Sequence, residues 1–357
     1  MRMKKYIDCY IPTETCNFKC KYCYIARQNK FNNKILKLSH TIEEIKCALS
    51  KDRLGGECLI NLCAGGETLL SDDVVSIAKA LLENGHYVMI VTNCSITRNI
   101  EKICNTFDAE LLKHLFFKCS FHYLELKRMG LLNEFAKNIN TIKNSNASYT
   151  IEITPNDELE PYIEEIKLYS MSNFGALPHI TIARDDTKPN IDVLSSHSFE
   201  EYYNIWRVFD SPLLDYKKVI YQVKRKEFCY AGDWSGYLNI ETGNLKQCYG
   251  GNNVCNIYKD IDLPLPKNVV GCNCHLPYCY NGHSFIVLGD IPELDSPNYA
   301  MLRNRICSDG SEWLKPEMKA FMSRKLYDYN DEYGVVQKAL VASKKKCKSI
   351  IKKLKNR

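Results

Sequence analysis

The chain has 357 residues, 45% of them hydrophobic and 25% charged, which is too long for one minimal domain and fits a large globular domain with a smaller appendage. The net charge of +6 is concentrated at one end. Residues 338–357 hold nine Lys or Arg and no acid, which leaves −3 for residues 1–337 and points away from a nucleic-acid partner. No run approaches the ~18 apolar residues of a membrane span, and Met1–Tyr10 lacks the apolar core of a secretory signal, so no membrane span and a cytoplasmic location are expected.

In chain order, Tyr6–Ile11 reads as a strand. Thr41–Ser50 reads as a helix that Thr41 could cap. Cys58–Cys63 is a buried strand, and Ser71 is a plausible cap for a helix with Val74, Val75, Ala78, Leu81 and Leu82 at helical spacing. Tyr87–Val91 and Leu115–Phe121 follow as strands, and Leu124–Ile142 has a helical pattern. Tyr149–Ile153 is a strand, Pro161–Tyr169 a helix and His179–Ala183 a sixth strand. Strands alternating with helices predict an α/β fold, a partial (β/α)6 TIM-like barrel over residues 1–190. Chemistry in such barrels sits at the C-terminal ends of the strands. Residues 191–226 read as a connecting region with a helix at Phe199–Phe209. Residues 227–290 are loop-rich, a composition that usually needs a metal centre. Residues 291–357 read as helical, around Tyr299–Ile306 and Glu317–Tyr327, with a basic tail. In that tail Leu340, Cys347, Ile351 and Leu354 share one helical face, as in a solvated terminal helix or one that touches acidic surfaces.

Eighteen cysteines in a cytoplasmic chain point first to metal or iron–sulfur ligation. Nine are scattered among apolar residues (Cys9, Cys47, Cys58, Cys63, Cys94, Cys104, Cys119, Cys307 and Cys347) and read as small buried hydrophobes. Cys16, Cys20 and Cys23 are different. Their C-x3-C-x2-C run follows the first strand, so three thiolates on one loop can bind three irons of a [4Fe-4S] cube and leave the fourth open. A structural zinc ion is the alternative, but it would want a fourth Cys or His close by, and none lies between Asn17 and Gln28. This run, with Tyr22 before its last cysteine, resembles the motif of the radical S-adenosylmethionine (radical SAM) superfamily.

That resemblance implies a [4Fe-4S] cluster on Cys16, Cys20 and Cys23 with SAM on its free iron. It also implies reductive cleavage of SAM, hydrogen abstraction from a substrate, and a small electron donor of flavodoxin or ferredoxin type. Gly65-Gly66-Glu67, after the second strand, resembles the family's GGE motif, which binds the SAM amino group; Gly55-Gly56-Glu57 lies before that strand and reads as a turn. By the same resemblance, polar residues at other strand ends face SAM: Thr92 and Asn93, Ser120 and His122, Glu152 and Thr154, and Arg184, with Ser120 and Arg184 favoured; Glu152 and Asn156 read equally well as a solvated strand end. An Arg fork suits a carboxylate, whereas His122 could equally be a packing histidine. No catalytic acid or base is named.

A second cysteine group begins at Cys229. A hairpin around Tyr237–Ile240 and the turn Glu241–Asn244 would bring Cys229 and Cys248 side by side. C-x13-G-x4-C resembles the start of the SPASM/twitch motif, which implies one auxiliary [4Fe-4S] cluster, although the x1 and x4 spacings of Cys272, Cys274 and Cys279 depart from it. Two of those three would complete the site, with Cys274 and Cys279 favoured and Cys255 a non-ligand; a zinc ribbon is the alternative. Enzymes with similar auxiliary domains modify peptides or proteins, or act on sugars and aminocyclitols. A barrel that starts near residue 6 leaves no leader-binding domain in front, which weighs against a peptide. A non-catalytic metal-binding scaffold is the reading from another class.

Overall fold

A computed structural model describes residues 2–188 and 190–355, with side chains to Lys345. Six parallel strands form its centre: β1 (Lys5–Ile11), β2 (Cys58–Ala64), β3 (Tyr87–Thr92), β4 (Leu115–Ser120), β5 (Ser148–Ile153) and β6 (His179–Ile180). They pair in sequence order, β1 to β6. Helices cross between successive strands, as a parallel sheet requires. The result is the α/β partial barrel expected. A two-stranded ribbon, β7 (Arg184–Asp185) and β8 (Asp192–Val193), follows.

The free edge of β1 is not left bare. Strand β9 (Ser235–Asn239) pairs with it in parallel, and β10 (Asn244–Lys246) and β11 (Asn253–Asn256) continue antiparallel to make one nine-stranded sheet. The hairpin of the second cysteine region is therefore built onto the same sheet as the barrel.

Successive side chains point to opposite faces, and the two faces have different partners. Ile7, Cys9, Ile60, Leu62, Val88, Ile90, Leu115 and Phe117 face outward into the helices. Tyr6, Leu59, Met89 and Phe116 face inward, against a segment from Phe285 to Leu326 that fills the half-barrel. Tyr87 stacks on Phe321 at 3.6 Å, and Lys315 N donates to Ser148 Oγ at 2.8 Å. Arg303, on the filling segment and fully buried, pairs with Glu152 of β5, whose other oxygen takes Lys118 Nζ at 3.1 Å. Glu152 is thus a buried ion-pair partner and not a solvated strand end.

Several local expectations are corrected. The pattern 124–142 is two helices, Tyr123–Met129 and Leu132–Asn144, because Gly130 takes a left-handed φ of +68°. The sixth strand ends at Ile180. Residues 299–306 hold only a 3-10 turn, Ala300–Leu302. Ser71 occupies the N-cap position, but its hydroxyl donates to Leu36 O and caps nothing. Thr41 makes a full capping box with Glu44. Among the scattered cysteines Cys47 is exposed and Cys63 half-buried; the side chain of Cys347 lies outside the described residues. The last helix, Val335–Lys355, is not free of the body: Lys345 Nζ donates to the carbonyls of Cys272 and Asn273. Of the proposed apolar face Leu340 is exposed, and Ile351 and Leu354 lie outside the described side chains. No described helix is long and apolar enough to cross a membrane.

Replacing Arg303 with Ala removes one partner of a buried ion pair. It is expected to lower unfolding stability by about 3 kcal/mol, read from urea midpoints at constant m-value. A change below ~0.5 kcal/mol, the range of ordinary surface substitutions, would contradict this role.

Candidate active site

The loop after β1 carries the three cysteines and rests on the loop after β2. Gly66 N donates to Thr13 O at 2.8 Å and Glu67 N to Thr15 O at 3.0 Å. A Cβ on Gly66 would stand 1.7 Å from the Thr15 oxygen, and one on Gly65 would meet the Tyr10 hydroxyl at 3.1 Å. Glycine at 66 is therefore required by close backbone approach, not by an unusual φ. Gly55 and Gly56, by contrast, have positive φ and end a short helix.

Glu67 is 2% exposed. Its carboxylate accepts from Thr92 Oγ1 at 2.6 Å, Leu69 N at 2.9 Å and Asn93 N at 2.7 Å. Burial raises its pKa and these bonds oppose the rise. The carboxylate stitches the β2 loop to the end of β3, which leaves the backbone of Gly65 and Gly66 facing the cavity. Asn93 Nδ2 donates to Asn17 Oδ1 at 2.9 Å and lies 3.8 Å from Cys16 Sγ. Tyr22 Oη and His122 Nδ1 are hydrogen-bonded at 2.6 Å, and burial lowers the imidazole to about 4, so His122 is neutral at pH 7. His122 holds Tyr22 and packs edge-on against Phe18.

Cys16, Cys20, Cys23, Tyr22, Gly65, Gly66, Glu67, Asn93, Ser120 and His122 all line one cavity of about 210 Å3, with Thr92 and Thr154. Burial pushes the Cys16 and Cys20 thiols up to about 12, so bound positive charge would be needed to hold them as thiolates. The donor set fits an iron–sulfur cube. Among the described residues, the only three Cys, His, Asp or Glu ligand atoms within 4.8 Å of one another are those of Asp157, Glu160 and His197. The cysteines are not gathered as tightly as Zn–S bonds of about 2.3 Å around one ion demand.

Arg184 is placed elsewhere. Its Nη1 donates to Tyr280 O at 3.0 Å, and it lines a second cavity of about 210 Å3 that shares Tyr22, Tyr24 and Thr154 with the first. Lys118, Lys217, Asn281 and His283 also line this second space, and none of the four was singled out from the sequence. Lys118 had a readable signal: in LFFKCS it alternates with Phe116 and Ser120 on the inward face. Lys217 and His283 had none, since their helices dock by tertiary packing. Asn156 is buried and lines neither cavity.

Cys279 forms part of the second cavity wall. Cys229 is tied to Gly271 by a two-way backbone bridge, N to O 3.3 and 3.0 Å, which brings the 272–279 loop beside it. Cys229, Cys248, Cys274 and Cys279 pack against the same apolar cluster. Burial raises the thiols of Cys229, Cys248 and Cys279, and their neighbours add to it: Cys279 and Cys248 act on Cys229, Cys274 on Cys248, and Cys248 and Cys274 on Cys279. Cys272 is exposed. Cys255 lies in β11 with Arg53 as its charged neighbour.

Gly66→Ala is expected to keep the wild-type far-UV circular dichroism and to retain less iron after anaerobic reconstitution. Gly65→Ala should be milder. Equal iron in wild type and Gly66→Ala would contradict the loop contact.

Residues 10–118 match the family model described as the radical SAM superfamily. Over 81 residues the chain is 32% identical to a protein of Methanocaldococcus jannaschii named as a glycyl-radical enzyme activating enzyme; the match spans 23% of this chain and 29% of that protein. Among solved structures, Streptococcus suis SuiB bound to S-adenosylmethionine is similar with a TM-score of 0.46 and 12% identity, over 73% of this chain and 65% of SuiB. AnSMEcpe with bound AdoMet is similar with a TM-score of 0.48 and 12% identity, over 91% and 93% of the two chains.

Proposed function

We propose that this chain is an enzyme that holds a [4Fe-4S] cluster on Cys16, Cys20 and Cys23, cleaves SAM there, and abstracts hydrogen from a peptide or protein substrate. The observation that carries the reading is the single cavity shared by the three thiols and Gly65–Glu67. Bound together, the cluster and SAM supply one-electron cleavage to methionine and a 5′-deoxyadenosyl radical. The chain's own residues do the positioning. Asn93 orients the cysteine loop through Asn17, and His122 holds Tyr22 at the mouth of the second cavity. The backbone of Gly65 and Gly66 offers polar groups to the SAM amino end, and Ser120 stands on the same wall.

An auxiliary cluster on Cys229, Cys248, Cys274 and Cys279 is part of the proposal, with Cys272 outside the ligand set. It is supported by the convergence of those four thiols and the exposure of Cys272. A second cluster beside the second cavity could accept an electron from a substrate radical or hold the substrate. A peptide substrate draws support from the resemblance of residues 227–290 to the SPASM/twitch region. Tyrosines also wall the second cavity: Tyr22, Tyr24, Tyr221, Tyr278 and Tyr280.

After anaerobic reconstitution, dithionite and SAM are expected to yield 5′-deoxyadenosine, and the Cys16/Cys20/Cys23 triple Ala variant none. A wild type that makes none under several reductants would favour a non-catalytic scaffold. The triple variant should still hold about four irons of the auxiliary cube. Cys274→Ala in that background should lose them and Cys272→Ala should not; the reverse, or bound zinc, would overturn the ligand set.

A further inference from the structure

Among the described residues, the second cavity gathers more basic side chains than carboxylates to pair them. Three basic side chains line it, Lys118, Arg184 and Lys217, and Arg303 stands beside Lys118 across Glu152. Glu152 serves both Arg303 and Lys118, the latter at 3.1 Å. Arg184 faces Asp186 at 3.6 Å. Asp8, on the inward face of β1, accepts from Asn61 Nδ2 at 2.8 Å and Asn281 Nδ2 at 3.2 Å and acts on Lys118 by its charge. Lys118, Arg303 and Arg184 thus each have a carboxylate partner. Lys217 is the one left over: its Nζ donates to Thr181 Oγ1 and, among the described residues, has no carboxylate within 4.0 Å; its charged neighbours are Lys118 and Arg184. His283, on the same wall, adds no countercharge; burial first, then Lys217, Lys118 and Arg184, hold it well below the usual imidazole range. The Tyr221 and Tyr278 hydroxyls are already given to Ile191 O, at 2.6 and 3.0 Å.

A partly enclosed ammonium without a counterion is costly unless a ligand supplies one. Burial first, and then the charges of Lys118 and Arg184, lower the Lys217 pKa, so the empty cavity disfavours its charged form and a bound anion would restore it. We infer that the substrate presents one carboxylate to Lys217 in this cavity, between the SAM-side cavity and Cys279. One uncompensated cation matches a monoanion; a phosphate, near two charges at pH 7, would overfill the site. The carboxylate enters at the wall formed by Lys217 and Thr181, so the attacked C–H lies toward Tyr22, Tyr24 and Thr154, where the two cavities meet. The inference rests on the function proposed above and names its substrate class as a carboxylate-bearing compound, within a peptide an acidic side chain or a chain terminus.

The test is binding to anaerobically reconstituted, SAM-loaded protein. The probes are N-acetyl-aspartate N-methylamide and its asparagine counterpart, N-acetyl-alanine and its amide, and N-acetyl-phosphoserine N-methylamide. One of the two carboxylates is expected to bind at least about tenfold tighter than its amide, as a charge-assisted hydrogen bond provides; which one does so separates a side chain from a terminus. Lys217→Met should abolish the preference and Lys217→Arg should restore it, with iron content unchanged in both. Equal binding of carboxylate and amide, no binding of any probe, a preference that survives Lys217→Met, or tightest binding of the phosphoserine probe would each overturn the inference. 5′-Deoxyadenosine formation measured on the same preparation separates the two failures. SAM cleavage without a carboxylate preference sinks only this inference, and a preference without SAM cleavage sinks only the function proposed above.

Discussion

The site depends on backbone meeting backbone. Two parallel neighbours, β1 and β2, end side by side, and the loops that leave them touch through Gly66 and the peptide at Thr15. No side chain fits between them. That contact sets the cysteine loop over the strand ends, and Glu67 extends it to β3 through three hydrogen bonds. Three successive βα loops are thereby locked into one wall before any cofactor binds, the pre-organisation that a reactive site needs. Neutral His122 at the end of β4 completes the wall by fixing Tyr22.

The inward face of the half-barrel changes character along the strands. Near their starts, Tyr6, Leu59, Met89 and Phe116 pack on the C-terminal segment. In the middle, Asp8, Asn61, Lys118 and Glu152 form a buried polar layer. At the ends come Cys63, Ser120 and Thr154, which face the cavity. A filled base excludes water from below, and the charged layer sits as the floor of the second cavity. Cys279 stands in the wall of that cavity, and β9 makes the hairpin of the second cysteine region continuous with β1.

Much of this was legible in the sequence because it is local. Alternating strands and helices carry the partial barrel, and the spacing of Cys16, Cys20 and Cys23 with Gly65–Glu67 points to the cluster-side cavity. Gly130 was a visible helix breaker, yet apolar periodicity on both its sides masked it. Arg184 follows the sixth strand, but that strand stops early and the side chain donates to Tyr280 O in the second cavity. The plug segment was illegible as such, since its apolar residues follow no single period and bury against strands far away in sequence. Lys217 and His283 reach their cavity by the docking of helices, which no local pattern encodes. The approach of the 272–279 loop to Cys229 depends on one non-local bridge, Cys229 to Gly271, which no local pattern encodes.

The most direct test of the central claim is electron paramagnetic resonance of the dithionite-reduced, anaerobically reconstituted protein, recorded with and without SAM in the Cys229/Cys248/Cys274/Cys279 quadruple Ala background. A [4Fe-4S]+ signal that changes on adding SAM is the expected result, because one iron is open to that ligand. A signal indifferent to SAM, or bound zinc in place of iron, would contradict it.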